Sequence, residues 1–296
     1  MKYMKKLSII LSFLLLVSLF GGTRLPALDL EIRGGLGNIS QEGERGSPLA
    51  KTQTFVPDLS SFYGITISGE TGANLYFSGG YEFDPILKNR IFGNIGVTLD
   101  ILTIEAGPFL GFDEIESFLD APGLSFSARI EYPGYFFMGI QTASSLGSLM
   151  GNEGDFSQKF STIEAGVSTH NMVYSFIRES KSYTRQRSDV LSTTDILNRT
   201  FFRIEYHEKN NPFTLTFDAG HQLLSRAYNY KTPPSAKNDL EMVFVGIDAE
   251  VALSRGFKFL LGGEIPIVNW TSNTMGRPDG VFLFSVHTGI ILTLFP

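Results

Sequence analysis

The sequence predicts an all-β chain closed into a transmembrane, antiparallel up-and-down barrel of about fourteen strands. Beyond residue 27, apolar and polar residues alternate with a period of two over almost the whole chain, and short turns alternate with long polar connections. Membrane-spanning helices are the competing way to cross a bilayer. They need apolar windows of ~20 residues, and the only long apolar run lies at the N-terminus. The composition agrees: 43% of residues are hydrophobic and 18% charged, with 31 Gly, 26 Phe and 11 Tyr among 296, where an ordinary soluble domain carries ~25% charged residues. The aromatic and β-branched content excludes intrinsic disorder, and the absence of cysteine excludes a disulfide scaffold or a thiolate zinc site.

Residues 1–27 read as a cleaved export signal. Lys2, Lys5 and Lys6 precede the apolar stretch Leu7 to Phe20, and Leu25-Pro26-Ala27 supplies a small residue at the cleavage point. The mature chain is expected to begin at Leu28. As an anchor, a 14-residue apolar stretch would cover only ~21 Å of a ~30 Å hydrocarbon core. Removing Lys2, Lys5, Lys6 and Arg24 takes the net charge from −6 to −10. An acidic chain without clustered Lys and Arg excludes nucleic acid as a partner.

The strands follow from the alternation. In Leu28 to Leu36 the even positions are Leu28, Leu30, Ile32, Gly34 and Leu36, and the odd ones Asp29, Glu31, Arg33 and Gly35. Ile91, Ile95, Val97 and Leu99 oppose Asn94, Gly96 and Thr98, and Leu124, Phe126, Ala128 and Ile130 oppose Ser125, Ser127, Arg129 and Glu131. Phe202, Ile204 and Tyr206 oppose Arg203, Glu205 and His207, while Val243 to Val251 alternate against Asp248 and Glu250. Period two marks half-buried strands. The strands predicted are 28–40, 61–68, 73–83, 90–98, 102–112, 122–131, 135–146, 159–168, 172–184, 196–207, 212–225, 240–253, 257–270 and 280–295. Residues 61–83 read as one strand or two, and the count lies between twelve and fourteen.

Short turns fall near residues 69–72, 99–101, 132–134, 169–171, 208–211 and 254–256, each rich in Gly, Pro, Asn or Ser. Longer polar connections lie near 41–60, 84–89, 113–121, 147–158, 185–195, 226–239 and 271–279. Outer-membrane barrels have an even strand number, short turns on one side and long loops on the other. Fourteen strands of ~9–11 residues use ~140 residues and leave ample chain for the loops. Aromatics gather near strand ends, at Tyr132, Tyr135, Tyr206, Phe213, Phe257 and Phe295 on the turn side and at Phe77, Tyr81, Phe83, Phe112 and Phe282 on the loop side. That is the expected pair of interfacial girdles.

The last residues carry the most specific motif. His287, Gly289, Leu292 and Leu294, followed by Phe295, read polar, Gly, hydrophobic, hydrophobic, aromatic. This resembles the terminal β-signal recognised by the barrel-assembly machinery of outer-membrane proteins, departing from it in the final Pro296. The chain resembles an outer-membrane β-barrel, closest in size and predicted strand number to small fourteen-stranded monomeric porins. The resemblance implies export through the periplasm to the outer membrane of a diderm bacterium. It also implies contact with the export and barrel-assembly machinery and with outer-membrane lipid, and a monomeric state.

Function is expected to reside on the inner wall, since the lipid face is constrained to be apolar. Alternation places inward Asp29, Glu31, Arg33, Glu105, Arg129, Glu131, Glu164, Arg199, Arg203, Glu205, His207, Asp218, Gln222, Asp248, Glu250, Lys258, Glu264 and His287. Such charges in a dry core would each need a partner; a water-filled lumen removes that cost, and fourteen strands enclose one. The expected activity is passive diffusion of small hydrophilic solutes. Ten carboxylates against five Lys and Arg in that set point to a weak cation preference. A salt-bridged, closed barrel is the competing reading of the same charges.

Three other functions compete with passive diffusion. Fourteen-stranded transporters of apolar ligands resemble the chain in strand number, but carry an N-terminal plug before the first strand, where here the first strand begins at the cleavage site. Adhesion or a structural role through external loops such as 41–60 and 226–239 is a further reading. For an enzyme, His221 with Ser225 is the one pairing worth testing, and no catalytic residue is assigned. No two histidines stand at metal-ligand spacing, and Gly34-Gly35-Leu36-Gly37 lacks the helix a phosphate loop requires, so no cofactor or metal is expected.

Overall fold

The computed structural model describes residues 28–37, 60–71, 74–84, 86–112, 121–146, 156–188, 191–207, 212–230, 236–272 and 284–294. These form fourteen strands: β1 (Leu28–Gly37), β2 (Ser60–Thr71), β3 (Leu75–Asp84), β4 (Lys88–Leu99), β5 (Leu102–Phe112), β6 (Ala121–Tyr132), β7 (Phe136–Ser145), β8 (Phe156–Ser168), β9 (Met172–Ser188), β10 (Leu191–His207), β11 (Phe213–Tyr230), β12 (Ala236–Ser254), β13 (Phe257–Ser272) and β14 (Ser285–Leu294). Each pairs antiparallel with its neighbours in sequence, and β1 pairs with β14 to close the barrel. The seam runs from Leu28 opposite Leu294 to Gly37 opposite Ser285. The export signal and Phe295 lie outside the described residues.

Residues directly opposite in a ladder share a face, so register carries the facing around the barrel. From Glu31 the inner face passes to Thr66 on β2, Gly80 on β3, Phe92 on β4 and Phe109 on β5. The opposite face is apolar and open: Ile95 is 71% exposed, Leu261 57%, Ile247 56% and Met138 56%. Exposed aliphatic side chains around a closed barrel are the mark of a lipid-facing wall.

The turns need little strain. Asn74, Asp100 and Gly134 take φ values of 59°, 54° and 78°, and Asn, Asp and Gly tolerate the left-handed region. Each turn is stitched to its neighbour: Asn74 O accepts from Thr98 N at 2.9 Å, Ile101 O from Glu131 N at 2.8 Å, Tyr135 O from Ser168 N at 3.1 Å and Asn171 O from His207 N at 2.8 Å. Tyr132 and Phe136 stack at this rim with centroids 6.2 Å apart. Phe77, expected on the loop side, sits two places from the start of β3 and so near the turn side. The two-strand reading of residues 61–83 holds, with β2 and β3 paired as a hairpin.

The main departure from the sequence reading is strand length. β9 to β12 run 17, 17, 18 and 19 residues, so most of the connections expected at 185–195 and 226–239 is ladder. Where strands rise past the membrane their outer face has no reason to be apolar; alternation fades while pairing continues.

One connection turns inward. The backbone N–H groups of Ile86 and Leu87 donate to Asp84 Oδ1 at 2.7 and 3.0 Å. Ile86 then packs with Ala121, Phe156, Tyr183, Leu197, Leu224, Leu240 and Met242 in an apolar cluster at the loop end of the barrel. Gln158 Nε2 donates to Leu87 O and, at 3.1 Å, to Asn89 O. The described core therefore sits inside the barrel, near its loop-side end.

Candidate functional site: the charged inner wall

Register places every residue assigned inward from the sequence on the face opposite the apolar wall. The structure brings most of these charges together in pairs. Arg203 donates to both oxygens of Asp218 at 2.8 Å, the planar fork that makes such pairs directional. Arg199 on β10 donates to Glu264 on β13, across two intervening strands. Arg129 bridges Glu131 at 3.0 Å and Glu164 at 3.1 Å. Arg33 pairs with Glu31, Lys258 with Glu250 at 2.9 Å, His287 with Asp248 at 3.0 Å and His207 with Glu205 at 3.3 Å. Gln222 is buried beside them.

Two carboxylates have hydroxyl partners instead. Glu105 accepts from Ser78 Oγ at 2.8 Å and Ser127 Oγ at 3.4 Å, and Asp29 accepts from Thr293 Oγ1 at 2.6 Å. Among the described residues neither has an ion-pair partner, so each leaves net negative charge on the inner wall.

Sequence reasoning missed a second set of inward charges nearer the loops. Lys181 Nζ donates to Asp84 Oδ2 at 2.6 Å and lies 3.5 Å from Glu179. Arg226 forks onto Asp195 at 2.5 and 2.8 Å, and Arg90 pairs with Glu82. Strict parity along β9 would have placed Glu179 and Lys181 with Ser175. The signal was blurred because Ile177 and Tyr183 share that inner face while Arg178 and Ser180 occupy the outer one.

Inward aromatics brace the cations. Arg199 lies 4.3 Å from the ring centroid of Phe244 and 5.2 Å from that of Phe201, and Arg129 lies 4.3 Å from Phe137. Such stacking favours a guanidinium by up to ~2 kcal/mol where water is displaced. Between these groups is a cavity of about 450 Å³, bordered by Arg33, Asp84, Lys181, Arg199, Asp218 and Glu264 among others.

The His221 and Ser225 pairing is not assembled. Both face outward on one strand, four places and so ~13 Å apart; Ser225 Oγ donates to Asp239 Oδ1 at 2.5 Å, and His221 lies 3.7 Å from Glu241. No cluster of three metal-ligating side chains occurs among the described residues. Of the terminal motif, His287 and Gly289 face inward, Leu292 and Leu294 outward.

No family model and no curated protein matches this chain. Solved structures do. A bacterial polysaccharide outer membrane secretin matches at 11% identity over 90% of this chain and 98% of that one, with a TM-score of 0.46. A loop-deleted OmpT, an outer membrane protein of Vibrio cholerae, matches at 9% over 90% and 98%, TM-score 0.42. The NanC porin matches at 10% over 90% and 100%, TM-score 0.39. The chain is a closed fourteen-stranded β-barrel of the outer-membrane kind. Its even strand number, short turns and apolar outer wall are the features of that class.

Proposed function

We propose that this barrel is an outer-membrane channel through which small hydrophilic solutes diffuse passively, with a weak preference for cations. The observation that carries the reading is the charged inner wall around a 450 Å³ cavity. A carboxylate such as Glu105, which no described base neutralises, attracts cations and repels anions in a narrow aqueous path. The fixed ion pairs contribute polarity and shape but little net field.

The inward Asp84–Lys88 connection supports a second reading, a barrel closed at its loop side. Ile86 and Leu87 are 7% and 3% exposed, and Ile86 packs into the apolar cluster at that end. The two readings differ in one measurement. Purified, refolded protein in a planar bilayer is expected to conduct, and its reversal potential across a salt gradient to show cation preference. Glu105→Gln is expected to reduce that preference without stranding a base, most visibly at low salt, where the screening length grows from ~10 Å at 0.1 M to ~30 Å at 0.01 M. A well-folded wild type that never conducts favours the closed barrel.

A further inference from the structure

Around most of the barrel the outer wall stays apolar up to the loop side: Leu36 is 46% exposed, Leu124 53% and Ile265 43%. On β9 to β11 it does not. Phe176 and Phe202, opposite one another and 55% and 44% exposed, are followed toward the loops by Arg178 and Thr200. Thr200 stands opposite both Arg178 on β9 and His221 on β11. A guanidinium, a hydroxyl and an imidazole thus form one row across three strands, with Cβ atoms of neighbours ~5 Å apart. In the next row Ser180 Oγ donates to Asn198 Oδ1 at 2.8 Å. Arg178 is exposed and has no ion-pair partner among the described residues.

The depth of the row matters. Arg178 lies six places beyond Met172, where β9 begins at the turn side. At ~3.3 Å per residue and ~40° tilt this is ~15 Å up a band ~25 Å tall, past the midplane and within the loop-side leaflet. The stem of an arginine lets its head reach further toward the headgroups.

We propose that this face binds an anionic lipid of the loop-side leaflet, its phosphate held by Arg178 and Thr200 and its acyl chains lying along Phe202 and Phe176. The polarity has the right sense, because the aromatic pair is on the midplane side of the cation. A second copy of the chain fits less well. A two-fold contact sets Arg178 against itself, and the acidic side chains of the outer wall nearest this row, Glu241 and Asp239 on β12, already stand beside His221 at 3.7 Å and Ser225 at 2.5 Å of the same chain. The proposal rests on the outer wall facing lipid and is independent of conduction.

The test uses the full chain in nanodiscs of phosphatidylcholine doped with phosphatidic acid, with retained lipid identified by native mass spectrometry. Wild type is expected to enrich phosphatidic acid, and Arg178→Gln to lose roughly tenfold of that enrichment, the scale of one charge-assisted contact. Arg255→Gln, in the exposed β12–β13 turn, is expected to retain it. Inorganic phosphate, without acyl chains, is expected not to displace the lipid; displacement would make this a site for soluble anions. No enrichment by wild type, equal enrichment by Arg178→Gln, or a lipid-free dimer dissolved by Arg178→Gln overturns the proposal. Heat-modifiable gel mobility reports insertion separately, and a wild type that inserts into no bilayer overturns the membrane reading along with it.

Discussion

Gly246 and Ile247 are chain neighbours on β12 that meet different surroundings. Ile247 is 56% exposed on the outer wall, while a Cβ on Gly246 would meet Gly263 O at 3.5 Å and Asp218 Cβ at 3.6 Å, ordinary contacts on the inner side. Ile247→Arg is therefore expected to cost ~2–4 kcal/mol, the range for Arg on the lipid face at mid-depth. Gly246→Arg is expected to fold, since its guanidinium gains Asp218 and Glu264 as neighbours, and to lower cation preference. Urea titration of vesicle-inserted protein checks the first effect and reversal potential the second; the opposite ranking of stabilities would invert the facing of β12. At this scale the sequence was most legible where the two faces differ most. Asp248 and Glu250 stand against Ile247 and Ala249, so parity alone separates them. Partners were not legible, because Arg199 and Glu264 meet only through the packing of β10 to β13, which no spacing along the chain encodes.

Elements reveal constraints that single residues do not. In β4 and β5 the ladder pairs Phe92 with Phe109 and Ile95 with Ala106, and skips the residues between. Pro108 has no N–H to offer there, and beside it Ser125 Oγ stands 2.6 Å from Asn94 Oδ1 and 2.9 Å from Gly107 O, its one proton shared between the two acceptors. A Cβ on Gly107 would lie 2.0 Å from Gly93 O. Gly107→Val is expected to force the two backbones apart and destabilise the inserted barrel by several kcal/mol, as core overpacking does at its upper end, read as a lower temperature for loss of the heat-modifiable form. The inward Asp84–Lys88 connection is a second element-level device. Lys181→Met removes the base that holds Asp84 across the lumen, leaving a half-buried carboxylate without its cation, a loss below the ~3–5 kcal/mol of a fully enclosed pair. If this latch limits flow, single-channel conductance of Lys181→Met is expected to rise or to flicker; unchanged conductance with an intact fold would locate the constriction elsewhere. The sequence marked residues 84–89 as a connection but held no sign of its direction. Asp84 reads equally as a solvated loop residue, and its role depends on Lys181 arriving from β9.

For the molecule as a whole, closure is the feature that makes the rest possible. In hydrocarbon an unpaired backbone N–H or C=O costs several kcal/mol, so an open sheet of thirteen strands has two edges that lipid cannot satisfy. The last seam is ten residue pairs between β1 and β14, joining chain positions 28–37 to 285–294. Strand count, direction and alternation of turns with loops were legible because they are imposed locally by the period-two pattern and by turn residues. The height of the wall on β9 to β12 was not, because ladder beyond the membrane obeys no hydropathy rule. Closure predicts a steep response to loss of β14. Deleting residues 285–296 is expected to leave β1 and β13 as exposed edges, abolish the heat-modifiable form and render the chain sensitive to protease in the presence of bilayers. Deletion is expected to act in one step, since every other ladder depends on the closed circumference for its tilt and register. A truncated chain that still shifts its mobility on boiling would show β13 pairing directly with β1, and the terminal strand would then be a feature of assembly rather than of closure.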